Sequence, residues 1–428
     1  MPELGILGNH VLLDLDSSGN LTWPSAISKR LCWGVGADDR WHFSEERASI
    51  RQSVDSNEIT TVTRMRVPGG DITQRVEVIP WGGQSVTKIE FYNETPIPVA
   101  ISILLLDFGP VEIDSTTVRV NAKPIIVSSK VPRMLIAGSG YQDMTDRIVK
   151  AEIQDSRTST LSIDKPSRDS ALIFPLPHST KLELVINNED LDNLPDIERS
   201  PSFKDVSNGW LKHFESGMEI QTDDNRLASV LNTARRHLLI GSDQEISSRF
   251  WSVDSDEPVL PLTALALMAW GHTDSAKKLI FKYMESTPTS LFKNNVNKET
   301  LYALCLWQKY LEFCFQEEEL ADITPWINES VRQLLASLPS KRRLKKRDIT
   351  LEVVSLRAAI EILMFVQEKS LATELQNQLV RIEDVIGSKE NTSPFRKYTQ
   401  SYQIIIETLS GYLQIQEPSL TLDQILIK

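Results

Sequence analysis

The sequence predicts an antiparallel β-sandwich followed by a stack of helical hairpins, and three observations predict it. Through about residue 200 the chain runs in short alternating or β-branched segments broken by turn residues. A polar stretch with two prolines, 187–205, then intervenes. Beyond it the apolar spacing changes to a period of about 3.6, the mark of amphipathic helices.

The β segments are His10–Leu15, Glu58–Val67, Ile72–Ile79, Ser85–Tyr92, Val99–Leu106, Thr116–Val120, Met134–Ala137, Ala171–Phe174 and Lys181–Ile186. Turn chemistry separates them at Asp16-Ser17-Ser18-Gly19-Asn20, Pro68-Gly69-Gly70-Asp71 and Asn93-Glu94-Thr95-Pro96. No alternation of strand and helix runs through the chain, which disfavours a Rossmann fold or a TIM barrel. In the second half, Leu227, Val230, Leu231, Ala234, Leu238 and Leu239 mark one amphipathic helix. Further helical stretches are 259–271, 273–285, 297–316, 325–338, 349–367, 370–387 and 396–415. Short turns such as Gly271-His272-Thr273-Asp274 make neighbours antiparallel hairpins. The expected divisions are 1–200 for the β domain, 201–224 for a linker-helix region and 225–428 for the helical domain. No fixed-period repeat is visible, so a solenoid is the weaker reading.

The chain has 428 residues, 41% of them hydrophobic, which suffices for more than one domain with a sizeable core. A net charge of −12 repels nucleic acid and anionic membrane, so neither is an expected partner. The first residues lack a basic and apolar leader, and no apolar run approaches the roughly 18 residues of a membrane span. With only Cys32, Cys305 and Cys314, the expectation is a reducing, cytoplasmic setting. Neither the cysteines nor the six scattered histidines have metal-ligand spacing, so no metal site and no cofactor are expected.

The stretch with the most chemistry is Arg249-Phe250-Trp251-Ser252-Val253-Asp254-Ser255-Asp256-Glu257-Pro258, followed by the apolar run Val259–Trp270. An indole offers an apolar face to a pyranose, and carboxylates accept its hydroxyl hydrogen bonds. The same acids would also cap the helix and complement its dipole. The run Lys341–Arg347 lacks aromatic company and reads as a solvated loop or a dock for an acidic partner. Trp33, Trp41 and Trp81 read as packing residues rather than sugar platforms, and His42 as structural. Gly34-Val35-Gly36 and Gly138-Ser139-Gly140 are not expected to sit in the strand–loop–helix context of a phosphate loop.

Four stretches, in this order, resemble the glucoamylase and bacterial trehalase group, glycoside hydrolase family fifteen. They are Leu7–Gly19 with Trp23-Pro24; Thr61–Pro80, ending Val76-Glu77-Val78-Ile79-Pro80; Gly209–Phe214 continuing into Leu227–Leu239; and Trp251–Gly271. The resemblance implies an N-terminal β supersandwich and an (α/α) toroid of six-hairpin glycosidase type, here incomplete. It implies that Trp251 and Asp254 grip the terminal sugar, with Asp256 and Glu257 assisting. The substrate class it implies is an α-glucan or trehalose.

The departures are chemical. Val253 stands where the family has an arginine fork, and Arg249 is displaced from that position. Inverting hydrolysis needs two carboxyl groups roughly 6.5–9.5 Å apart. The family's Trp-Glu-Glu turn is absent; Asp348 and Glu352 are the best positional candidates, each also readable as a helix cap, ahead of Glu317–Glu319. Glu407 is poorly placed for a base. Two readings follow: an inverting hydrolase of terminal α-glucosidic bonds, or an inactive relative serving as a glucan-binding or interaction scaffold. A shortened toroid leaves one helical edge bare, which a homodimer would close.

Overall fold

The computed structural model describes residues 3–7, 13–23, 29–46, 49–54, 60–150, 160–162, 168–188, 192–218, 223–242, 259–286, 298–314, 320–337 and 350–386. The chain divides into two compact units, Met1–Gln244 and Glu245–Lys428.

The first unit holds two antiparallel sheets. One is built from β1 (Glu3–Leu4), β2 (Leu13–Leu15), β3 (Leu21–Thr22), β4 (Arg30–Ala37), β5 (Arg40–Phe43), β10 (Val99–Leu106), β14 (Met134–Gly138) and β16 (Asp169–Leu176). Its order is β1-β2-β3-β4-β10-β16-β14, with β5 paired to β4. The other contains β6 (Ile50–Val54), β7 (Thr61–Val67), β8 (Gly70–Trp81), β9 (Gln84–Asn93), β11 (Val111–Asp114), β12 (Thr117–Val120), β13 (Lys123–Ser128), β15 (Thr160–Ser162) and β17 (Lys181–Asn187). Its order is β15-β11-β12-β13-β17-β9-β8-β7-β6. The inward residues of both sheets form one apolar core, centred on side chains such as Leu31, Trp33, Val76, Phe91, Ile103 and Phe174. This is the two-sheet sandwich that the alternating runs predict.

Helix α1 (Tyr141–Val149) covers the outer face of the first sheet with Met144 and Ile148. Trp41 stacks on Phe43 there, ring centroids 6.0 Å apart, and Trp33 is buried with its Nε1 donating to the Ser18 carbonyl at 2.9 Å. The outer face of the second sheet is covered differently. Ile79, Val86 and Val185 pack under Trp81, Leu194, Ile197 and Val206. The proline-bearing stretch is therefore a laid-down strap containing a 3-10 turn at Ile197–Arg199, followed by helix α2 (Phe203–Glu215). A capping box starts α2: Ser202 Oγ accepts from the Asp205 N–H, and Asp205 accepts from the Ser202 N–H. Helix α3 (Asn225–Ser242) closes this unit.

Of the two Gly-x-Gly patterns, one lies outside a strand–loop–helix context, as expected, and one does not. Gly34 lies mid-strand, where a Cβ would sit 2.6 Å from Phe43 Cδ1, so its glycine serves strand packing rather than a loop. Gly138-Ser139-Gly140 does lie between a strand and a helix, contrary to the sequence reading. Its backbone donors are already taken: Asp143 accepts from the Ser139 N–H at 2.8 Å, and Asp169 accepts from the Gly140 N–H. Two resident carboxylates occupy the place a phosphate would take. Asn93, in a glycosylation-like triplet, is buried and donates to the Ile97 and Leu176 carbonyls.

The second unit is helical: α4 (Val259–Ala269), α5 (Thr273–Ser286), α6 (Lys298–Cys314), α7 (Leu320–Ser337), α8 (Thr350–Phe365) and α9 (Lys369–Ile386). Helix α4 packs on α5 and α6, α5 on α6, α6 and α7 on α8, and α8 on α9. The contacts between alternate helices, α4 with α6 and α6 with α8, are those of a partial α/α toroid. Composition matches the position. The ring-forming helices α4 and α8 are apolar nearly all round, whereas α5 and α9 are amphipathic. Small residues let α6 and α8 approach: Ser355 Oγ donates to the Leu301 carbonyl at 3.0 Å beside Cys305 and Ala358. The expected helix at 396–415 lies outside the described residues.

Candidate functional site

Within the first unit, buried charges fix α3. Glu77 is 1% exposed, in the middle of β8, and both its carboxylate oxygens accept from the Arg236 guanidinium, Nη1 to Oε1 at 3.0 Å. The Arg236 guanidinium also stacks over the Trp210 ring at 4.9 Å. Arg235 lies 5.0 Å over the Phe214 ring and donates to the Phe214 carbonyl. Lys88 donates to Ser200 Oγ at 2.9 Å and pairs with Glu183 at 3.5 Å. Sheet, α2 and α3 are thus fastened by buried charges that find partners only in one arrangement.

This anchor unites the second and third resemblance-carrying stretches, because Glu77, Trp210 and Arg236 come from them. It was not anticipated. The available signals were one acid inside Val76–Ile79 and two adjacent arginines inside an apolar helical period. The first stretch has its own polar hub. Gln74 Nε2 donates to the Gly19 carbonyl at 2.9 Å, and Gln52 Nε2 donates to the Asp16 carbonyl at 2.9 Å.

Next to Arg236, burial and that guanidinium's charge push the His237 imidazole down to about 4. Its folded value lies below its ordinary 6.5, so the unfolded chain takes up the proton first as pH falls. Stability is therefore lost from about pH 6.5 down to about 4 and is unaffected above that window. His237→Gln is expected to flatten this part of the curve of urea midpoint against pH; an unchanged slope would refute the assignment.

The two ends of the helical unit differ. At one end the connections are short and closed. Residues 270–272 join α4 to α5, and residues 366–368 join α8 to α9. Gly271, at φ 75°, completes a Schellman cap in which His272 N–H donates to Leu267 O at 2.8 Å and Gly271 N–H to Met268 O at 2.9 Å. The α8 end repeats this with Gln367 at φ 62°. The other end is served by the long connections 243–258, 287–297 and 338–349, which enter α4, α6 and α8.

By sequence number, most of the predicted residues fall in or beside these connections, which lie outside the described residues. Trp251, Asp254, Asp256 and Glu257 lie outside the described residues, in the connection entering α4, whose first helical residue is Val259. Asp348 also lies outside them. Glu352 belongs to the first turn of α8, which begins at Thr350, and its side chain is outside the description. Glu317–Glu319, Lys341–Arg347 and Glu407 are likewise outside. Among the described residues, no group of three or more His, Cys, Asp or Glu is placed to hold a metal ion. No described helix is long and apolar enough to cross a membrane. Burial pushes the Cys32 thiol up to about 12 and that of Cys305 up to about 11, which makes both poor nucleophiles.

Searches of protein-family models and of curated proteins find no match. Solved structures do match. A bacterial glucoamylase complexed with acarbose aligns with TM-score 0.57 and 10% identity, over 89% of this chain and 66% of its own. A family 92 α-mannosidase from Bacteroides thetaiotaomicron aligns with TM-score 0.41 and 10% identity, over 88% of this chain and 62% of its own. This chain therefore spans slightly under two thirds of the glucoamylase's length. It has the architecture of that enzyme's sandwich and part of its helical toroid.

Proposed function

We propose that the chain is a glucoamylase- or trehalase-like carbohydrate-active protein. Its site is the end of the partial toroid where the long connections enter α4, α6 and α8. The observation that carries this reading is the asymmetry between a closed, short-turned end and an end whose first connection holds Trp251, Asp254, Asp256 and Glu257. The neighbour crystallised with acarbose supports the ligand class.

Roles follow from position. Carboxylates just ahead of a helix N-terminus are held ionised by its dipole, so Asp254, Asp256 and Glu257 suit the acceptance of sugar hydroxyls. The Trp251 indole supplies the apolar face. Asp348 and Glu352, at the start of α8, are the candidates for the acid of the absent Trp-Glu-Glu turn, although the helix N-terminus favours an ionised carboxylate, and no residue is assigned as the base. A general acid needs the opposite environment, one that keeps it protonated.

The activity proposed is inverting hydrolysis of terminal α-glucosidic bonds. Glucose release from maltose, trehalose and soluble starch tests it. Wild type is expected to exceed Asp254→Ala by about 10²-fold or more, as expected for losing a charged contact at the reacting sugar. Equal background rates in both would defeat hydrolysis. A second reading, an inactive relative that binds glucan, is favoured by Val253 in place of an arginine fork. Binding of the same sugars that Asp254→Ala abolishes, without turnover, would identify it.

A further inference from the structure

The outer face of the second sheet is covered at one end by the strap and α2. At the other end it is open: the side chains of Arg51 and Arg66 are 66% and 67% exposed, and Tyr92 is 38% exposed. The pairing register sets this face in a row. Arg51 lies opposite Arg64, Arg64 opposite Thr73, Thr73 opposite Tyr92, and Tyr92 opposite Lys181. Their strand neighbours Met65, Ile72 and Phe91 belong to the sandwich core, so the row points outward. Arg66, two residues after Arg64, shares its face.

Two arginines set directly opposite each other repel. Asp71, with its side chain 9% exposed, steadies one of them and Arg66: its carboxylate accepts from Arg51 and, at 3.1 Å, from Arg66 Nη1. Arg64 Nη1 donates to a neutral acceptor, Ser53 Oγ, at 3.2 Å. Glu94 accepts from Thr73 Oγ1 at 2.5 Å. Lys181, at the far end of the row, is paired with Glu90 and Glu183 at 3.3 and 3.2 Å. Among the described residues, the three guanidiniums thus meet only Asp71 and Glu94, which leaves an electropositive surface on a chain of net charge −12.

We propose that this row binds a phosphorylated sugar. Guanidinium forks match phosphate oxygens bidentately, and arginine rather than lysine is what the sheet supplies here. Tyr92 lies two strand spacings from Arg64, about 10 Å. Its ring gives a pyranose an apolar face, and Glu94, held at Thr73 between them, accepts sugar hydroxyls. An acidic protein segment would meet the guanidiniums, but it would leave the Tyr92 ring unused and be repelled by Glu94. Such binding needs no turnover by the helical unit.

Calorimetric titration of the full-length protein with glucose 6-phosphate tests this, with glucose and inorganic phosphate as comparison probes. Glucose 6-phosphate is expected to bind about tenfold more tightly than either, and less tightly as salt is raised. Arg64→Gln and Arg51→Gln are each expected to weaken it by about tenfold, the loss of a charge-assisted hydrogen bond. Tyr92→Ala is expected to weaken it by about threefold and to leave inorganic phosphate unchanged. No binding of glucose 6-phosphate, or binding that neither arginine variant alters, overturns the proposal. Inorganic phosphate binding as tightly as glucose 6-phosphate overturns it too, because that marks a plain anion site. Loss of binding in Asp254→Ala but in neither arginine variant would place the sugar at the helical unit and likewise contradict it.

Discussion

Glu77→Ala is expected to destabilise the first unit by about 3–5 kcal/mol, because it leaves the Arg236 guanidinium buried without its counter-charge. Glu77 is 1% exposed and takes both lone-pair directions of a bidentate contact from a residue 159 positions away. Water cannot replace the lost carboxylate at that depth. The paired change Glu77→Leu with Arg236→Met is expected to recover most of the loss, since the indole of Trp210 remains to pack on the methionine. Urea unfolding of the three variants measures this. A single mutant within about 1 kcal/mol of wild type would show that the pair does not fasten α3.

Gly19→Ala is expected to cost about 2–5 kcal/mol, combining a left-handed backbone at a non-glycine residue with overpacking. Gly19 has φ +79°, and a Cβ there would lie 2.1 Å from Gln74 Oε1 and 3.0 Å from both Thr63 Oγ1 and Trp33 Nε1. Gln74 has no room to yield: it is fully buried, and its amide already donates to the Gly19 carbonyl. Gly82→Ala is the control. Its φ is +56° and nothing lies within 4 Å of the added carbon, so only the backbone cost of about 1 kcal/mol applies. Thermal or urea midpoints of the two variants separate packing from conformation. Equal losses would remove the packing argument.

What the sequence disclosed, and what it withheld, divides along physical lines. Most helices of the second unit were legible to within a few residues because each buries one face over many turns; the exception is α7, which starts at Leu320 rather than 325 and holds Pro325 inside its first turns. The stretch read as 273–285 is Thr273–Ser286, for example. Strands with β-branched alternation, such as Val99–Leu106, were legible for the same reason. Arg30–Ala37 was not, because Gly34 and Gly36 imitate a loop; both are glycine to admit the rings of Phe43 and Trp41. Helix α1 was too short to show a period. The Glu77–Arg236 anchor was hidden because a strand acid ordinarily signals a solvated face, and its partner belongs to another element. The residues proposed to bind sugar, Trp251, Asp254, Asp256 and Glu257, lie outside the described residues and stand out in the sequence by residue type and by the resemblance. No local pattern separates a carboxylate that caps a helix from one that also grips a hydroxyl.

The central claim is that sugar binds where the long connections enter the ring helices. Hydrogen–deuterium exchange of the full-length protein with and without saturating maltoheptaose tests it most directly. Protection is expected in peptides spanning 243–262 and 338–352, with the turn at 270–272 unchanged. Protection confined to the β-sandwich, or none at any sugar concentration, would contradict the account.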